Sequence, residues 1–136
     1  FWLQSPIQGC TLNPAFSGVE IDIMESFKPG YVSHAVHWNG CGEDLQSKGK
    51  QSFPLEATPD GFHRFGLCWN KTGYTFFVDG KESWHVDGPV SETEQFILVS
   101  TECMGYRTEE EKPCTEVQGS APDEFVVDYV RVFDEI

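Results

Sequence analysis

The sequence predicts an all-β protein of antiparallel strands, and three observations carry that expectation. Short apolar or alternating runs recur at Phe1–Gln4, Val19–Glu25, Tyr31–Trp38, His63–Trp69, Tyr74–Val78, Ser83–Val86, Gln95–Thr101 and Glu124–Phe133. Their length and period suit strands with one buried face. Turn-rich segments separate the runs. Asp79-Gly80 is a strong two-residue hairpin signal, and Asn70-Lys71-Thr72-Gly73 reads as a second turn. No segment sustains a helical period. The 136 residues show no internal repeat and no linker, so they make one domain or part of one. The longest expected loops, Asn39–Ser52 and Glu102–Asp123, are polar and contain glycine, as loops rimming a cleft do.

The second run holds the chemistry. Glu20-Ile21-Asp22-Ile23-Met24-Glu25 places three carboxylates in six residues, separated only by large apolar side chains. In a strand, Glu20 and Asp22 share one face, and Ile21 and Ile23 the other. Glu25 falls on the wrong face of a regular strand. One extra residue, a β-bulge at Ile23-Met24, turns it back to join the other two. Like charges held side by side repel, so such a row is costly unless a site uses it. Two carboxyl groups about 5–5.5 Å apart are the machinery of a retaining glycosidase. One attacks the anomeric carbon; the other protonates the leaving oxygen and later activates water. The competing reading is a solvated polar strand face, the commoner meaning of a lone pair of acids.

Composition narrows the function further. Twenty-two acidic and nine basic residues give a net charge of −13, which repels phosphate backbones and anionic membranes. No nucleic-acid or membrane partner is expected, and no apolar run approaches the ~18 residues of a bilayer span. Five cysteines suit an oxidising, extracellular compartment. Cys103–Cys114 and Cys10–Cys41 are the first pairings to consider, with Cys68 a buried free thiol or the partner of a cysteine elsewhere. Spacing alone fixes no connectivity. The absence of a C-x-x-C pair speaks against zinc. Asn70-Lys71-Thr72 is a glycosylation sequon, meaningful in an exposed loop of a eukaryotic secreted protein.

The stretch Gly18-Val19-Glu20-Ile21-Asp22-Ile23-Met24-Glu25 resembles the signature of glycoside hydrolase family 16, E-x-D-x-E or its bulged form E-x-D-x-x-E. The chain carries the bulged form, which looks more like the laminarinase and agarase branches than the lichenase branch. Phe1-Trp2-Leu3-Gln4, the hairpin from His63 to Gly80, and Phe125–Phe133 resemble the strand before the catalytic one, a following hairpin and the closing strand. The resemblance runs along nearly the whole chain, as the later half to two-thirds of such a domain. It implies a concanavalin A-like jelly roll, an antiparallel β-sandwich, here partial, with a polysaccharide bound across the concave face. Its early strands would precede Phe1 or come from another chain. By position, Glu20 would be the nucleophile, Asp22 its assisting neighbour and Glu25 the acid/base. No cofactor is required. A structural calcium is implied on the convex side, with Asp128 at the matching position.

Aromatic residues make up 14% of the chain, and their rings stack on the apolar faces of sugars. Trp2 is the first candidate for such a platform, because it belongs to the strand beside the acids. Trp38 is the second, while Trp69 is expected in the core. For any one Trp, core packing competes with sugar contact. His34 and His37 are three apart, so in a strand they face opposite sides, and His37 is the expected cleft residue. His63 and His85 read as ordinary surface or edge residues. Glu102 is a candidate for sugar hydroxyls, with solvated charge as its alternative. The reading is an endo-acting retaining glycosidase, with β-1,3- or β-1,3-1,4-glucan favoured over β-linked galactans. The alternative class is a non-catalytic carbohydrate-binding protein of the same fold.

Overall fold

The computed structural model describes residues 1–40, 42–101 and 124–134. The chain divides into two units, 1–99 and 100–136.

The first unit is an antiparallel β structure of two sheets. Its elements are β1 (Trp2–Gln4), α1 (Pro14–Ser17), β2 (Glu20–Lys28), β3 (Tyr31–Trp38), β4 (Gln46–Pro54), β5 (Phe65–Asn70), β6 (Gly73–Val78), β7 (Lys81–Asp87) and β8 (Phe96–Leu98). One sheet has the order β4-β3-β2-β1-β8, and the other β5-β6-β7. This is the all-β sandwich that the alternating runs predict. The core lies between the sheets. Val19, Ile21, Ile23 and Val36 meet Tyr74, Phe76 and Val86, and Leu3, Trp38, Phe65, Leu67 and Trp84 pack around them. Each buried residue sits two positions from the next along its strand, so one face of each sheet is spent on the core and the other is left for function. No helix among the described residues is long and apolar enough to cross a membrane.

Two elements depart from expectation. β4 occupies much of the segment read as a loop, because Gln46–Pro54 is polar and mostly exposed. It is an edge strand, and lysines and glycine on an edge discourage further pairing. Gly49 eases the close approach there: a Cβ would lie 3.1 Å from the His34 carbonyl oxygen, a tight contact. α1 is one turn led by proline, too short to leave a period in the sequence.

The predicted hairpins are present. Asp79 and Gly80 both take positive φ, as a two-residue turn of the primed type requires. Asp79 also ties the turn to the preceding loop, accepting bonds from the Arg64 backbone N–H (2.9 Å) and the His63 ring (2.8 Å). The β5–β6 turn closes on Asn70, whose Oδ1 accepts from the Thr72 N–H and hydroxyl at 2.8 and 2.7 Å.

Cys68, read as either a buried free thiol or the partner of a cysteine elsewhere, is free and exposed. Trp69, expected in the core, is 36% exposed; it sits near the end of edge strand β5 with its ring 6.1 Å from that of Tyr74. Cys10 is free and exposed. Its expected partner Cys41, the expected pair Cys103 and Cys114, and Glu102 all lie outside the described residues.

In the second unit, 124–134 forms no strand and exposes its side chains, including Phe125, Val127, Tyr129 and Phe133. Alternation gave Glu124–Phe133 strand character, but a strand also needs a ladder partner. Arg131 stacks over the Tyr129 ring at 4.4 Å.

Gly18 sets the entry into β2. Its φ of 75° and ψ of −177° lie in a region open essentially to glycine alone. A Cβ there would meet the Ser5 Cβ at 2.3 Å and Thr93 Cγ2 at 2.8 Å. Gly18→Ala is therefore expected to cost about 2 kcal/mol or more. Thermal unfolding followed by circular dichroism checks this, and an unchanged Tm would contradict the packing around Gly18.

Candidate functional site

The site is built on β2, the central strand of the five-stranded sheet. Ile21 and Ile23 point into the core, so Glu20 and Asp22 project from the opposite face. Glu20 faces His37 of β3, Asp22 faces Ala35 and Glu25 faces Ser33. Between the last two pairs the register shifts: Ile23 and Met24 together oppose the single residue His34. This is the expected bulge. His37, Ala35 and Ser33 are alternate residues of one strand and share a face, so their partners Glu20, Asp22 and Glu25 share it too.

β1 supplies the other flank. Trp2 pairs with Asp22, Leu3 with Ile21 and Gln4 with Glu20. Trp2 and Gln4 thus lie on the acid face, and Leu3 on the core face. Met24 and Phe1 exchange two backbone hydrogen bonds of 2.9 Å, which anchor the bulge from the β1 side.

Hydrogen bonds order the acids. Gln4 Nε2–H donates to Glu20 Oε2 at 3.0 Å. Gln8 extends this line, its Nε2 lying 3.4 Å from the His37 carbonyl oxygen. His37 Nε2 lies 3.1 Å from Asp22 Oδ2. The other ring nitrogen, Nδ1, lies 2.5 Å from Ser47 Oγ of β4. A hydroxyl both donates and accepts. Ser47 therefore serves neutral His37 as donor and protonated His37 as acceptor, and the ring keeps both partners in either state.

Asp22 is only 5% exposed. A carboxylate so enclosed needs a partner, and His37 is that partner. The bond to Asp22 raises the His37 pKa above its ordinary value, with the charges of Asp22, Glu20 and Glu25 adding to it and burial opposing it. The imidazole and the acids thus lie close enough on one face for their charges to act on each other. Ligand atoms of Glu20, Asp22 and His37 lie within 4.8 Å of one another, the geometry of a small cation site as well as of an acid–base cluster.

Of the residues singled out from sequence, Glu20, Asp22, Glu25, Trp2 and His37 come together on one sheet face. Trp38 does not. It shares the inner side of β3 with Val36 and packs against the core, which corrects its expected place beside His37. Asp128 is exposed in the second unit and belongs to no group of three or more potential ligands among the described residues. Gln4 and Ser47 join the site beyond the residues that the sequence singles out. Gln4 was within reach, because pairing Phe1–Gln4 against β2 puts it across from Glu20. Ser47 lay in the strand mistaken for a loop.

His37 gives a pH signature. Its pKa is raised in the folded chain, so its pairing stabilises the fold fully below the ordinary value of 6.5 and fades as pH rises through the raised value. The stability gap between wild type and His37→Ala is expected to be wider near about pH 5.5 than near about pH 8.5 in urea titrations. In proton NMR, Asp22→Asn is expected to lower the His37 titration midpoint. An unmoved midpoint would break the link between the two groups.

A family model described as Glycosyl hydrolases family 16 matches residues 1–104. No curated protein and no solved structure matches the chain.

Proposed function

The chain belongs to glycosyl hydrolase family 16, and from that premise we propose that it is an endo-acting retaining glycoside hydrolase that cuts internal β-linkages of a polysaccharide. Family membership itself implies a glycoside hydrolase or a related carbohydrate-binding function. The observation that carries the catalytic reading is the bulge, which brings three acids to one face where a regular strand would bring two.

In this reading Glu20 attacks the anomeric carbon and forms a glycosyl-enzyme. The Gln4 amide on its Oε2 fixes the direction of attack. Glu25 gives its proton to the leaving oxygen, then takes one from the water that releases the sugar. Asp22 stands between them and, with His37, absorbs the change in charge as Glu20 is consumed and restored. Trp2, across from Asp22, is placed to stack on a sugar ring. Internal cleavage is supported by the position of β2, which has two strands on each side. A glycan crossing the strands continues past the acids in both directions. β-1,3- or β-1,3-1,4-glucan is the favoured substrate, by analogy with the bulged branch of the family. Secretion belongs to the same reading, because an extended polysaccharide meets its hydrolase outside the cell.

Product analysis on laminarin, lichenan, agarose, carrageenan and xyloglucan tests the substrate, and proton NMR of the first products tests retention. Glu20→Ala and Glu25→Gln are each expected to lower kcat by roughly 10²–10⁴-fold while leaving glycan binding intact. Undiminished turnover in both variants would overturn the assignment. Binding without hydrolysis in the wild type would favour a carbohydrate-binding protein.

A further inference from the structure

We propose that His34 is a positioning residue for the acid row: its buried imidazole holds the Ile23–Met24 bulge in the register that turns Glu25 onto the face of Glu20 and Asp22. The kinetic consequence rests on the glycosidase reading; the geometry does not.

His34 is the single β3 residue opposite the bulge, since Asp22 pairs with Ala35 and Glu25 with Ser33. Its side chain is 1% exposed and points between the sheets. Nδ1 lies 2.7 Å from the carbonyl oxygen of Ile23, the first bulged residue. A carbonyl has no proton to give, so Nδ1 carries the hydrogen and donates. Nε2 lies 2.8 Å from Ser83 Oγ on β7, in the other sheet. Burial, assisted by the charge of Lys50, holds the ring toward its neutral form. Nε2 is then bare and faces the Ser83 hydroxyl, whose one proton is shared between that nitrogen and the Phe76 carbonyl oxygen, 3.1 Å from the same Oγ. The ring is clamped between Phe76, stacked at 4.9 Å, and Phe53 at 5.4 Å. Lys50 Nζ donates to the Ser83 carbonyl at 2.5 Å, fixing that end as well.

This arrangement selects one register. Without the extra residue, the strand period would rotate Glu25 to the core side. The backbone distortion of the bulge exposes a carbonyl on the inner side of β2, and His34 is the donor that meets it. Because the donor is rigid and tied to the second sheet, the packing of the sandwich sets where Glu25 stands. A reacting group displaced by about 1 Å loses on the order of 10²-fold in rate.

Four variants of the full chain separate positioning from mere packing. His34→Asn keeps a short amide N–H where Nδ1–H stands. His34→Gln reaches towards Ser83 and gives up the Ile23 carbonyl. His34→Leu gives up both. Ser83→Ala removes the link to the second sheet together with the bond from that hydroxyl to the Phe76 carbonyl, and leaves the Ile23 carbonyl bond in place. If His34 positions the bulge, kcat falls by about 10- to 100-fold in His34→Gln and His34→Leu, with KM little changed. His34→Asn restores most of it, and Ser83→Ala lowers Tm while sparing kcat. Loss of kcat in His34→Asn equal to that in His34→Leu would overturn the proposal, as would full kcat in His34→Gln. If His34→Leu does not fold, the Asn and Gln pair decides. Should the wild type hydrolyse no glycan, the glycosidase reading falls. The positioning role is then read by backbone NMR contacts between Glu25 and Ser33, and their retention in His34→Gln overturns it.

Discussion

One inserted residue in β2 is the constraint on which the site depends. A strand alternates its side chains strictly, so residues five apart never share a face. Glu20 and Glu25 do share one, because Ile23 and Met24 together stand opposite His34. The neighbours of the bulge answer to it on every side. Phe1 takes both backbone bonds of Met24 from the β1 flank. His34 takes the Ile23 carbonyl from the core. Gly18, in a conformation barred to other residues, delivers the chain into β2 at the residue before Val19.

Charge is the second consequence. Crowding three acids on one strand raises the cost of ionising them together. The structure offsets that cost locally. Asp22, the most enclosed of the three, bonds to His37, and Glu20 receives an amide proton from Gln4. The net charge of −13 makes this local pairing more telling, since the chain as a whole offers few cations. The polar partners come from β1, β3 and β4, so the acids are held by strands on both sides and are not left to repel one another into solvent.

Much of this was legible in the sequence, and the failures have plain physical causes. The acid strand, its bulge and the opposite facing of His34 and His37 follow from counting by two. The same count puts Trp38 on the core side, because neighbours in a strand cannot share a side; its place at the end of a strand, opening a long loop, is what suggests the cleft instead. β4 is hard to see in the sequence because this edge strand carries Gly49 and mostly polar side chains, which imitate a loop. Trp69 shows the reverse error: an apolar run does not keep its last residues covered when it lies on a sheet edge. The alternation of Glu124–Phe133 is real, yet alternation states only which side chains would share a face once a partner strand is present.

The two histidines of β3 show how a single strand joins the two sides of the sheet. Three residues apart on a helix, they would converge on one ligand. Three apart on a strand, they diverge. His37 reaches outward to the charge of Asp22, and His34 reaches inward to the backbone beneath the acids. The outward ring keeps a hydroxyl partner that serves it in either protonation state. The inward ring has a carbonyl on one nitrogen and aromatic walls on its faces, as a fixed neutral strut requires. The same residue type therefore does opposite work. Burial and partners, rather than identity, decide which histidine is held toward its charged form beside the acids and which toward its neutral form beneath them.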